Sequence, residues 1–119
     1  GHLVLRGGSG KPNYDDKSIA SCVAELKKAG LREKIVVDCS HDNSCKDHLK
    51  QPLVLEDCLE QITQGNKAIV GFMIESNLYA GNQSIPADLK QLQYGVSVTD
   101  KCVDWATTEK MILAAWKTL

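Results

Sequence analysis

The sequence predicts an α/β fold of three consecutive strand–helix units whose strands run parallel. Three observations predict it. Short apolar runs begin at Leu3, Ile35 and Ala68, 32 and 33 residues apart. The stretches after the first two runs carry apolar residues at helical spacing. Each of these helical patterns then stops at a glycine, the residue that most readily takes the left-handed conformation of a helix end. Parallel strands need long crossovers, and strands buried on both faces read as unbroken apolar runs. Ankyrin arrays share a period of about 33 residues, but the β-branched runs and the missing Thr-Pro-Leu-His pattern exclude them.

In chain order, Leu3-Val4-Leu5 opens the first strand, and a Gly/Pro/Asn-rich turn leads from Arg6-Gly7-Gly8 to Asn13. Asp15 or Asp16 caps a helix in which Ile19, Cys22, Val23 and Leu26 share a face, with Gly30 closing it. Ile35-Val36-Val37 is the second strand, expected to be buried on both faces. Pro52 starts the second helix, whose stripe is Val54, Leu55, Cys58, Leu59 and Ile62, with Gly65 at its end. Ala68 to Ile74 is the third strand. Residues 76–104 follow no period, and a loop of that length in a compact domain is usually functional or disordered. The last helix is expected from about Thr107, with Met111, Ile112, Ala115, Trp116 and Leu119 as its inner face. Met73 and Met111 read as core residues, and Trp105 and Trp116 as core or interface anchors.

Composition narrows the function classes. The 119 residues suit one domain, and 43% hydrophobic with 24% charged residues describes an ordered globular chain. Fourteen Lys and Arg against 15 Asp and Glu lack the basic excess of a general nucleic-acid or membrane-surface binder. The run from Ala68 to Ile74 is too short to span a bilayer, and no basic stretch followed by an apolar one reads as a secretory signal. Five cysteines, an odd number without a paired framework, fit a reducing setting. A cytoplasmic location is therefore expected, with no nucleic-acid or membrane partner.

Each apolar run ends in chemically capable side chains: Arg6 after the first, Asp38 and His41 after the second, Glu75 after the third. Asp100 lies in the long loop. The C-terminal ends of parallel strands converge, so all five are expected to face one cleft. A cation, an imidazole and carboxylates suit a divalent metal beside an anionic substrate. A phosphate-loop reading of residues 6–11 fails, because Leu5 stands in place of its first Gly and Pro12 in place of its Ser/Thr. There remains an arginine at a strand end, followed by glycines that let backbone approach an anion, with Lys11 as a solvated turn charge. Cys39, His41, Cys45 and His48 invite a structural-zinc reading, but their spacing is not that of a finger. His48 is expected on an exposed helix side, and His2 has no evident role. No Ser or Cys carries the signature of a catalytic nucleophile.

Four ordered motifs carry a resemblance over essentially the whole chain. They are Asp38-Cys39-Ser40-His41-Asp42-Asn43-Ser44, Met73-Ile74-Glu75-Ser76, Gly81-Asn82-Gln83 and the run from Tyr94 to Cys102, with Leu5-Arg6-Gly7-Gly8 ahead and Trp105 behind. Together they resemble the C-terminal part of class I 3-deoxy-D-arabino-heptulosonate 7-phosphate (DAHP) synthases, closest to the microbial feedback-regulated enzymes. The resemblance implies strands six to eight of a (β/α)8 TIM barrel, so that residues 1–119 are a fragment, the last three-eighths of the barrel. It implies the first step of the shikimate pathway: condensation of phosphoenolpyruvate with erythrose 4-phosphate, releasing phosphate. His41, Glu75 and Asp100 then resemble three of four ligands to an essential divalent ion (Mn2+, Fe2+, Co2+ or Zn2+). Arg6 resembles an arginine that binds the phosphoenolpyruvate phosphate, and Asp100 a contact to the second substrate. The family's fourth ligand, a cysteine on the first barrel strand, has no counterpart here, and Cys39 does not match it. The fragment alone is therefore expected to be inactive, and to self-associate as a homo-oligomer over its open edges. Two alternatives stand beside this one: a non-catalytic phospholigand- or partner-binding α/β module, and a structural zinc domain.

Overall fold

A computed structural model describes residues 1–119. Three strands, β1 (Leu3–Leu5), β2 (Ile35–Asp38) and β3 (Ile69–Met73), form one parallel sheet in the order β1-β2-β3. Leu3, Val4 and Leu5 pair with Ile35, Val36 and Val37. Ile35 pairs with Ile69, after which the register shifts so that Val36 meets Gly71. Val70 is the extra residue of this irregularity, and it is exposed.

Helices α1 (Asp16–Lys28), α2 (Gln51–Thr63) and α3 (Trp105–Thr118) follow the three strands. Each start has a chemical cause. The Asp15 carboxylate accepts from the backbone N–H of Ser18 at 3.0 Å, and the Asp104 carboxylate from that of Thr107 at 2.8 Å. Pro52 stands in the first turn of α2, where no backbone N–H is needed. Gly30 and Gly65, at φ of 69° and 106°, let the chain leave α1 and α2. Beyond them the N–H groups of Leu31 and Asn66 return to the carbonyls of Leu26 and Gln61.

The core lies between the sheet and the helices. It is built from Ile19 of α1, Val54, Leu55, Cys58 and Leu59 of α2, Met111 of α3, Val103, and the strand residues Ile35, Val37 and Ile69. Right-handed crossovers between consecutive neighbouring strands put the helices on one face of the sheet. The opposite face, on the row Val4, Val36 and Gly71, is not buried: Val4 is exposed and Val36 only half-buried. The expectation of a second strand buried on both faces therefore holds for one face alone. The inner face expected for α3 also needs correction. Only Thr108 and Met111 are buried and Ala115 half-buried, whereas Ile112, Trp116 and Leu119 are exposed. Helix α3 packs chiefly against α2, so one narrow stripe suffices. Trp105 and Trp116 are not core residues, at 59% and 76% exposure.

Residues 76–104 lack regular structure apart from one helical turn at Leu89–Gln91, yet they are internally bonded. Gly81 and Cys102 exchange both backbone hydrogen bonds. The Gln83 amide binds the carbonyls of Gln93 and Val96 and accepts from the N–H of Gln93. These bonds return the chain to the sheet rim with Asp100 in place. No helix is long and apolar enough to cross a membrane.

Candidate metal centre

The site grows from the C-terminal ends of β2 and β3. Asp38 ends β2 and is buried. One of its oxygens accepts from the backbone N–H of Ser40 at 2.8 Å, and the other lies 2.7 Å from His41 Nδ1. A carboxylate accepts and does not donate, so this contact assigns a hydrogen to Nδ1 and turns Nε2 outward. His41 holds a left-handed backbone (φ 52°) at the start of a helical turn, His41–Ser44, which swings its ring back over the strand end. A non-glycine residue keeps that conformation only where its surroundings hold it.

Glu75 follows β3 by two residues and is fixed through its backbone. The buried Gln51 side chain donates to the Glu75 carbonyl at 3.0 Å and accepts from its N–H at 2.9 Å. Ser40 Oγ donates to Glu75 Oε2 at 2.7 Å, leaving Oε1 to face the imidazole. His41 Nε2 lies 3.6 Å from Glu75 Oε1 and 3.4 Å from Asp100 Oδ2. Three electron-pair donors facing one another at this range repel unless a proton or a cation sits among them. All three ligand atoms lie within 4.8 Å of each other. One imidazole nitrogen and two carboxylate oxygens fit a borderline divalent ion. Asp100 is the outermost of the three, its side chain 65% exposed.

Of the five residues expected at one cleft, Arg6, His41 and Asp100 line a depression of about 460 Å³ that has no apolar wall. Glu75 meets them through the imidazole. Asp38 does not face the cleft; it stands behind His41. The glycines after Arg6 do not offer their backbone to an anion. The N–H of Gly7 goes to Asn13 Oδ1, that of Gly8 to the Lys11 carbonyl and that of Gly10 to Asp42 Oδ2. An anion at this end meets side chains such as the Arg6 guanidinium rather than the backbone of these glycines.

Cys39 is buried and Cys45 exposed, and neither joins the His41 cluster. His48 is not on an exposed helix side: its side chain is 16% exposed, and its Nδ1 is buried without a hydrogen-bond partner. Sequence reasoning missed Gln51, whose position at the start of a helix gave no hint of a backbone clamp. It also missed Asn43, a buried amide that donates to the carbonyls of Leu5 and Asp38 and accepts from the N–H of Asn13. The offset of three from Asp38 to His41 was the available signal for a carboxylate–imidazole pair.

The model of the DAHP synthetase I family matches residues 1–113. The chain belongs to the DAHP synthetase I family. It is 47% identical over its full length to the Tyr-sensitive phospho-2-dehydro-3-deoxyheptonate aldolase of Salmonella typhimurium, covering 33% of that protein. It is 42% identical to the phenylalanine-inhibited aldolase of Saccharomyces cerevisiae over 92% of this chain and 31% of that one. The solved structure of the Francisella tularensis aldolase is 51% identical and superposes with a TM-score of 0.91, over 99% of this chain and 34% of that one. The chain thus spans about a third of the length of these family members.

Proposed function

We propose that this chain corresponds to strands six to eight of a (β/α)8 DAHP synthase, and that His41, Glu75 and Asp100 hold that enzyme's divalent metal. The observation that carries this reading is the placement of His41 Nε2, backed by Asp38 across the ring and facing the carboxylates of Glu75 and Asp100. A carboxylate behind an imidazole is the usual support of a metal-bound histidine. The bare sheet face supports the barrel part of the reading, because parallel sheets occur almost only with both faces covered. Membership of a family whose relatives are about three times as long supports it too.

The reaction joins C3 of phosphoenolpyruvate to the aldehyde carbon of erythrose 4-phosphate, takes up one water and releases inorganic phosphate. A divalent ion in the site supplies Lewis-acid polarisation of a carbonyl oxygen. Arg6 binds the phosphate of phosphoenolpyruvate through its planar donor fork. Asp100 reaches from the loop to the second substrate as well as to the metal. Asp38 keeps His41 Nε2 turned outward, and Ser40 and Gln51 fix where the Glu75 carboxylate points. The chain alone is expected to give no turnover, since its site holds only three of the ligands and one of the substrate arginines that the resemblance implies.

A Mn2+ titration followed by electron paramagnetic resonance tests the reading. His41→Ala and Glu75→Ala are expected to abolish the bound signal, Asp100→Ala to weaken it, and Cys45→Ser to leave it unchanged. Binding that survives His41→Ala and Glu75→Ala but is lost in Cys45→Ser would overturn it in favour of a structural zinc domain.

A further inference from the structure

Two cations that sequence reasoning left without a role stand in the same cleft. Lys46 and Lys101 line it with Arg6, Ser40, His41, Asn82 and Asp100. The lining thus carries three cations against a single carboxylate, in a chain whose overall balance is 14 Lys and Arg against 15 Asp and Glu. A local excess of this kind, in a depression with no apolar wall, selects anions.

The three cations have separate origins. Arg6 follows β1, Lys46 lies in the connection from β2 to α2, and Lys101 lies in the connection from β3 to α3. Each connection therefore delivers one positive charge to the cleft. The backbone is held at both positions, and both lysine side chains are exposed. Cys45 and Lys46 are consecutive left-handed residues, at φ of 54° and 60°, a conformation that is unfavourable for either. The N–H of Lys46 donates to the carbonyl of His41 at 2.8 Å, tying this lysine to the loop that carries the imidazole. Lys101 stands between Asp100 and Cys102, and Cys102 is pinned to Gly81 by two backbone hydrogen bonds. Neither lysine forms an ion pair with a carboxylate.

We propose that Lys46 and Lys101 are anion-binding residues that, together with Arg6, hold a phosphate group in this cleft. The proposal deepens the reading above by naming two further residues for its phosphorylated ligands, and it rests on that reading for their identity. The shared chemistry is a dianionic phosphate, which either a phosphorylated substrate or free inorganic phosphate can present.

Calorimetric titration with inorganic phosphate, and separately with phosphoenolpyruvate, tests it in EDTA, so that no metal takes part. Lys46→Gln and Lys101→Gln are each expected to weaken binding about three- to tenfold, the scale of one charge-assisted contact at a partly solvated site. Lys46→Arg and Lys101→Arg should restore most of it, and Lys110→Gln, on α3, should change nothing. Urea midpoints equal to that of the parent chain show that the variants fold. Weakening with both probes assigns the pair to the phosphate of a bound substrate, and weakening with phosphate alone assigns it to the free ion; both support the site. Unchanged affinity in the two glutamine variants overturns the proposal, as does a parent chain that binds neither probe. Because no metal takes part in these titrations, their failure leaves the proposed metal centre standing, and the Mn2+ titration of His41, Glu75 and Asp100 decides that separately.

Discussion

An imidazole ligates a metal well only when its other nitrogen is spoken for, and here Asp38 does that at 2.7 Å. Replacing Asp38 by Asn keeps the shape but offers a neutral amide that favours neither tautomer. Loss of such a supporting carboxylate typically costs 10–100-fold in metal affinity. Asp38→Asn is thus expected to weaken Mn2+ binding within that range while the far-ultraviolet dichroism stays that of the parent. Unchanged affinity would mean that Asp38 is only a packing residue. The cysteines give a second residue-scale prediction. Burial pushes the Cys39 and Cys58 thiols up to about 12, so in the folded chain they stay protonated where unfolded thiols ionise. The unfolded state then binds fewer protons from about pH 9 upward, and stability falls as pH rises toward 12. Urea midpoints should drop along that alkaline limb, and Cys58→Ala should flatten the drop while lowering the midpoint at neutral pH. At pH 8, Cys45 is expected to react first with a thiol reagent, because it is the exposed cysteine.

At the scale of elements, the connections after β1 and β2 are built as one unit. Asn43 bonds to backbone groups of Leu5, Asn13 and Asp38, and the Gly10 N–H donates to Asp42. Gly7 is the closest approach: it has φ of 75°, and an added Cβ would lie 2.6 Å from Asp42 Cβ and 2.8 Å from the Lys11 carbonyl oxygen. Gly7→Ala is therefore expected to cost about 1–3 kcal/mol in chemical denaturation, from the positive φ alone, and to weaken Mn2+ binding by shifting the loop that carries His41. Gly8→Ala, whose added Cβ meets nothing, is the control. This coupling explains what the sequence did and did not disclose. The strand and helix positions were legible because apolar spacing, Asp15, Pro52, Gly30 and Gly65 act locally. His41 and Glu75 were legible because parallel strands bring their ends together whatever the side-chain detail, and Asp100 because the long loop must return over the same rim. Gln51, Asn43 and the burial of Asp38 were not, since a buried amide or carboxylate is defined by partners up to 38 residues away. The narrow stripe of α3 was over-read, because apolar periodicity shows which face is apolar and not whether a neighbour covers it.

For the whole molecule, the dimensions carry the consequence. The radius of gyration is 16.0 Å, where a compact domain of this length measures about 13.5 Å. The accessible surface is 7846 Å², against about 6,300 Å² for a globular chain of the same size. The excess, roughly 1,500 Å², is the scale of one stable protein–protein interface. Its apolar parts are identifiable: Leu3 and Val4 on one open sheet edge, Val70 on the other, and Ile112, Leu113 and Trp116 on α3. Unpaired parallel edges are templates for further strand pairing, and a bare apolar face drives association without any new geometry. The isolated chain is therefore expected to self-associate, with a sedimentation coefficient that rises with concentration in the micromolar range. Val4→Lys places a charge on the edge strand and the bare face together, and should shift the distribution toward monomer. Its unfolding midpoint should stay close to that of the parent, because Val4 contributes little to the core. A chain that sediments as a monomer at every concentration while showing native-like dispersion in its NMR spectrum would refute this. It would show that these faces tolerate water, and that the sheet stands on the one layer of helices it has.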